Sequence, residues 1–108
     1  QFRCLDARNG DRIWEDLTLT SQLRWGTLHM VQHEDRVWMF NDQGDLMITK
    51  LTPEGVQVIS KAKLLSPTRG QLNRGQGVTW SHPGFAYRHV FNRNDEEIVC
   101  ADLSEGAQ

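Results

Sequence analysis

No basic run, no long apolar run and no dense cysteine pattern occurs in these 108 residues. The 12 lysines and arginines stand against 14 aspartates and glutamates, a net charge of -2, so the chain lacks the electrostatic footprint of a nucleic-acid binder. Its longest apolar stretches, such as Val37 to Phe40, fall far short of the roughly 20 residues that a membrane-spanning helix needs, and no signal-peptide pattern precedes them. A chain with no membrane span and no nucleic-acid partner is expected. Apolar residues three and four apart, the mark of an amphipathic helix, are also missing. The only two cysteines are Cys4 and Cys100. Both sit in apolar strand-like runs and are expected as unpaired core thiols, although an oxidising compartment would permit one bond between them.

What the chain does contain is a repeat. Val37-Trp38-Met39-Phe40-Asn41-Asp42-Gln43-Gly44-Asp45-Leu46-Met47-Ile48-Thr49 lines up without gaps on Arg88-His89-Val90-Phe91-Asn92-Arg93-Asn94-Asp95-Glu96-Glu97-Ile98-Val99-Cys100, and each reads as strand, polar turn, strand. Three further stretches, starting at Cys4, Thr49 and Cys100, end in Gly10, Gly55 and Gly106. A period in the forties to low fifties filled with short strands is the spacing of propeller blades.

One period divides into four strands, roughly 27–33, 36–41, 45–51 and 56–65, separated by Glu34-Asp35, Asp42-Gln43-Gly44 and Pro53-Glu54-Gly55. These links are hairpin-length and carry the residues that tolerate turn backbone angles, so an antiparallel meander is expected. The second strand is apolar on both faces, Val37 and Met39 one way and Trp38 and Phe40 the other. Such a strand has to be covered twice, as in a blade stacked between two neighbours. The fourth strand, with Gln57, Ser60, Lys61 and Lys63, suits a polar outer edge.

The expected fold is therefore all-β: propeller blades of four-stranded meanders, about two and a quarter of them. Residues 1–17 give strands three and four of one blade, 26–66 a full blade and 77–104 the first three strands of the next. Nine strands close no propeller, so the expected partners are missing blades of a longer protein or other copies of the chain, as a homo-oligomer.

The stretch Cys4-Leu5-Asp6-Ala7-Arg8-Asn9-Gly10-Asp11-Arg12-Ile13-Trp14-Glu15 resembles the repeat signature of the pyrroloquinoline quinone propellers. In that family a turn glycine links the third and fourth strands and a tryptophan docks between blades; the resemblance puts these roles on Gly10 and Trp14. Asn9 stands where the family usually has Thr, and Asp11 where it has Lys. Gly44, Gly55 and Gly106 are the other expected structural positions, and Ile59 stands about where a second docking tryptophan would be. The resemblance implies an exported bacterial protein, periplasmic or secreted.

Family members that are enzymes hold the quinone between a stacking Trp and adjacent cysteines, with a calcium ion and an Asp base. This chain has no adjacent cysteines. Trp25 and Trp80 are expected mainly as inner-strand packing. Asp42, Asp45, Asp95, Glu96 and Glu97 are expected to be solvated turn residues rather than a calcium site, which needs six to eight converging oxygens. His29 and His33 on one strand lie roughly 13 Å apart, too far to share an ion. His29, His33, His82 and His89 are spread over three strands, and none forms a close pair with a Cys or Glu at ligand spacing. The segment from Trp80 through His82 to Ala86 reads as a strand interrupted by Pro83, and Trp80 and His82 are the candidates for ligand contact. The loop 66–77, with Arg69 and Arg74, lacks the order of a phosphate-binding loop and is expected to join blades.

These features together lead to a non-catalytic structural or binding module, with no catalytic, cofactor or metal residues of its own. The alternative is a part of a quinone-dependent dehydrogenase whose quinone and calcium ligands lie outside this chain.

Overall fold

A computed structural model describes residues 1–71 and 75–105. The described residues form nine strands and no helix. The first sheet is a hairpin of β1 (Phe2–Leu5) and β2 (Arg12–Asp16). The second is a four-stranded meander of β3 (Leu28–His33), β4 (Arg36–Asn41), β5 (Asp45–Thr52) and β6 (Gly55–Lys63). The third contains β7 (Gly84–Ala86), β8 (His89–Arg93) and β9 (Ile98–Asp102). All pairings are antiparallel.

The turns show why these residues connect the strands. Gly44 closes the β4–β5 turn with φ +86°, and its carbonyl accepts from the backbone N–H groups of Leu64 and Leu65 at 2.9 and 3.2 Å. A Cβ there would lie 1.9 Å from the Leu65 carbonyl oxygen, so both the angle and the approach require glycine. Tyr87 and Arg88 both take positive φ, 50° and 61°, in the two-residue β7–β8 hairpin, the pattern whose twist suits paired strands.

The middle sheet is covered on both faces, as its doubly apolar second strand demands. On one side Met39 and Met47 pack with Leu19, Phe2, Leu28, Val37 and Val56, which places the first sheet and its linker against that face. On the other, Phe40, Leu46 and Leu65 pack with Val90, joined by Trp38, Phe85, Val99 and Ala101, so the third sheet covers the opposite face. Met39, Phe40 and Val90 are each fully buried. β6 is mostly exposed along its length, in keeping with a polar outer edge.

A second bond ties the first two sheets. The indole Nε1 of Trp14 donates to the carbonyl of Thr52 at 2.9 Å, while its ring lies 5.6 Å from that of Phe2. Gly10, at φ +81°, donates its N–H to the Asp6 carbonyl and closes the β1–β2 link; Gly55, at φ +147°, opens β6. Ile59 is exposed on β6, and Gly106 lies outside the described residues.

The register corrects the gap-free alignment. His33 faces Arg36 and Ala86 faces His89, two equal two-residue turns, so the β7–β8 hairpin matches β3–β4 at an offset of 53, with Val90 in the place of Val37. At that offset Arg93 takes the place of Phe40, and Phe40 faces Leu46 whereas Arg93 faces Ile98, so the following connection is one residue shorter. The gap-free offset is therefore two residues out of register for β4 and β8, and because side chains alternate along a strand, a slip of two leaves each one on the same face. The segment from Trp80 to Pro83 is likewise no strand. Only Val78 pairs, in an isolated bridge with Thr68, and β7 begins at Gly84.

Candidate functional site

The two linkers between sheets are held by the same device. In the first, Asn41 donates its side-chain N–H to the Leu19 carbonyl at 2.9 Å, and Asp42 accepts from the Ser21 hydroxyl at 2.6 Å and the Ser21 N–H at 3.2 Å. In the second, Asn94 donates to the Ser66 carbonyl at 3.0 Å, and Asp95 accepts from the Thr68 hydroxyl and, at 3.0 Å, from the Gly70 N–H. Each asparagine also caps its own turn. Asn41 Oδ1 accepts from the N–H groups of Gln43 and Asp45, and Asn94 Oδ1 from those of Glu96 and Glu97. A glycine then lies close to each hydroxyl residue: a Cβ on Gly26 would meet the Ser21 carbonyl oxygen at 2.6 Å, and one on Gly77 the Thr68 carbonyl oxygen at 2.4 Å.

This clasp revises the expectation for the turn carboxylates. Asp42 and Asp45 are buried rather than solvated, and each is satisfied by protein groups. Asp45 accepts from Asn41 at 3.2 Å and faces the ammonium groups of Lys61 and Lys63 at 3.5 and 3.1 Å. Asp95, Glu96 and Glu97 are exposed, as expected of turn residues. The clasp escaped the sequence reading because the gap-free alignment set Asn41 opposite Asn92 instead of Asn94. The recurrence of Asn-Asp at two turns was the available signal.

The candidates Trp80 and His82 lie on the extended linker that leads into β7. Trp80 is half-buried, and its Nε1 donates to the Trp25 carbonyl at 3.1 Å; the Arg24 guanidinium lies 5.9 Å from the Trp25 ring centre. The linker also brings together two histidines that the sequence kept apart. The rings of His29 and His82 lie 3.9 Å apart, centre to centre, with planes inclined at 42°. His29 Nε2 sits 3.0 Å from the Trp80 carbonyl oxygen. Burial pushes the His29 pKa below its ordinary value; the bond to Trp80 opposes this and the neighbouring His82 adds to it. His82 is exposed beside an open recess of about 440 Å³ shared with Phe91, Asn92, Arg93 and Ile98. His33 and His89 lie elsewhere, at the opposite ends of their hairpins.

A larger cavity of about 620 Å³ opens between the second and third sheets. Trp38 and Phe85 form its aromatic wall, edge to face at 5.6 Å, with Val31 beside them and His33, Arg88 and His89 at its rim. Its wall comes from two sheets, so no local sequence pattern marks it.

The two thiols are free, Cys4 half-buried on the first sheet and Cys100 exposed on the third, so neither forms an adjacent pair and Cys100 is not the core residue expected. Among the described residues no three His, Cys, Asp or Glu side chains converge. Of the loop 66–77, Arg69 is exposed and Arg74 lies outside the described residues. Among the described residues no helix is long and apolar enough to cross a membrane.

No family model matches the chain, and there is no match among the curated proteins or the solved structures.

Proposed function

We propose that the chain is a run of stacked blades from a β-propeller, and that its role is structural or binding rather than catalytic. The observation that carries this reading is the clasp, which fastens two successive sheets by the same four kinds of contact. A repeated joint between like sheets generates a stack, and twisted sheets stacked side by side curve around an axis. The double cover of the middle sheet and the polar β6 edge support the same arrangement. The resemblance of residues 4–15 to the quinone-propeller signature adds an exported parent protein to the proposal.

The two outer flanks are left apolar in this arrangement. Leu5 and Ile13 are exposed on the first sheet, Phe91 and Ile98 on the third. On this reading they take further blades of the same kind or another copy of the chain. Light scattering over a hundredfold range of concentration tests this. Self-association that Ile98→Lys abolishes supports another copy as the cover, and a monomer at every concentration overturns that part of the reading. Titration with pyrroloquinoline quinone and calcium tests the non-catalytic part, for which no saturable spectral shift is expected; stoichiometric binding refutes it.

A further inference from the structure

We propose that His29 and His82 form a two-imidazole site for a divalent transition cation, copper(II) in preference to zinc, which pins the linker before β7 onto β3. The two side chains come from separate elements. His29 pairs with Phe40 on the meander, so it points to the same face of that sheet as the third sheet's cover, and His82 approaches from the linker.

Hydrogen bonding fixes the chemistry of His29. A backbone carbonyl only accepts, so the 3.0 Å contact with Trp80 puts the proton on Nε2 and leaves the lone pair on Nδ1. Metal-bound imidazoles are held in this way, one ring nitrogen donating to a carbonyl or carboxylate while the other faces the ion. Trp80 is in turn held through its own indole bond to Trp25, so the supporting group is itself supported. Burial favours the neutral imidazole, which is the form that ligates.

His82 supplies the adaptable half of the site. Its side chain is exposed, and among the described residues it makes no hydrogen bond. Each ligating nitrogen has to come within about 2.0–2.1 Å of a zinc-sized ion, which sets the two ring centres somewhat farther apart than 3.9 Å. Rotation of the exposed His82 ring makes that adjustment without moving the backbone. No third protein ligand joins them among the described residues, so water or a small solute completes the coordination. Imidazole ligands and the general order of divalent affinities place copper first.

The test is calorimetric titration of the full chain carrying Cys4→Ser and Cys100→Ser, whose thiols would otherwise reduce copper(II), with copper(II) chloride, then zinc chloride, near neutral pH in a non-chelating buffer. One equivalent of copper should bind, with an affinity above that for zinc. His29→Gln and His82→Gln should each weaken copper by more than about tenfold, the scale on which lost support or ligands acts at such sites. His33→Gln and His89→Gln should leave it unchanged. In the NMR spectrum, sub-stoichiometric copper should broaden the ring protons of His29 and His82 before those of the other two histidines. Because His82 is exposed, His82→Gln serves even if the His29 variant fails to fold. Copper binding that His82→Gln leaves intact, or the absence of saturable binding, overturns the proposal.

Discussion

Asn41 and Asn94 make the same bond in successive sheets: each side-chain amide donates to a linker carbonyl, Leu19 at 2.9 Å and Ser66 at 3.0 Å. Each is buried, so losing the amide strands a carbonyl away from water. Asn41→Ala and Asn94→Ala should each lower unfolding free energy by about 2–3 kcal/mol, since a linker carbonyl and two turn N–H groups lose their partner together. Urea unfolding followed by tryptophan fluorescence measures it. Midpoints equal to that of the unaltered chain would remove the clasp as the joint between sheets.

Gly44 and Gly10 share a backbone region and differ in their surroundings. Gly44→Ala sets a Cβ 1.9 Å from the Leu65 carbonyl oxygen at φ +86°, and the carbonyl it would displace belongs to the chain leaving β6. Gly10→Ala, at φ +81°, meets nothing within 4 Å. The second change carries only the left-handed strain of about 1–2 kcal/mol, whereas the first adds a clash and should exceed about 3 kcal/mol. Thermal melts of both variants compare them, and equal losses would contradict the close approach.

Val90 and Phe91 are neighbours on β8 with opposite surroundings. Val90 is fully buried against Phe40, Leu46 and Leu65, while Phe91 remains 43% exposed on the outer flank. Val90→Ala should destabilise by about 1–2 kcal/mol through lost burial and a partial cavity. Phe91→Ser should leave stability within about 0.5 kcal/mol, as a surface change does, and reduce self-association. Sedimentation combined with urea unfolding separates the two readouts. A Phe91→Ser chain as unstable as Val90→Ala would mean that this flank is covered within the chain itself.

The middle sheet was legible in the sequence because its signals are local. Alternating contacts in Val37-Trp38-Met39-Phe40 reveal a strand buried twice, and Asp42-Gln43-Gly44 and Pro53-Glu54-Gly55 mark its turns. The clasp was not legible, because the gap-free alignment is two residues out of register and sets Asn92, not Asn94, opposite Asn41. Nor was the His29–His82 contact, which depends on an unpaired linker whose path is set by Thr68, Val78 and Asp42. Burial of Asp42 was hidden for a similar reason: its partner Ser21 lies on another connection, and turn carboxylates are otherwise solvent-facing.

Two buried or half-buried carboxylates give stability an acid dependence with distinguishable parts. For Asp45, burial disfavours the charge, but the bonds from Asn41 and Lys63 and the charges of Lys63 and Lys61 outweigh it and hold the pKa below 3.8. For Asp16, burial is again outweighed, here by the Thr18 N–H and hydroxyl and the Leu19 N–H. A carboxylate with a depressed folded-state pKa stabilises the protein above its unfolded value and loses that contribution as pH falls through the folded one. Urea midpoints should therefore slope gently between about pH 7 and 5, where the unfolded chain protonates His29 before the folded one does, and drop more steeply below about pH 4 as the carboxylates protonate. Asp45→Asn should flatten that drop, with a lower starting stability because Lys61 and Lys63 lose their partner. Added salt screens the lysine charges and weakens that share of the Asp45 part, while the neutral donors, Asn41 to Asp45 and Thr18 and Leu19 to Asp16, are insensitive to it, so the acid slope should shrink at high salt without vanishing. An Asp45→Asn chain with the full slope would place the titrating group elsewhere.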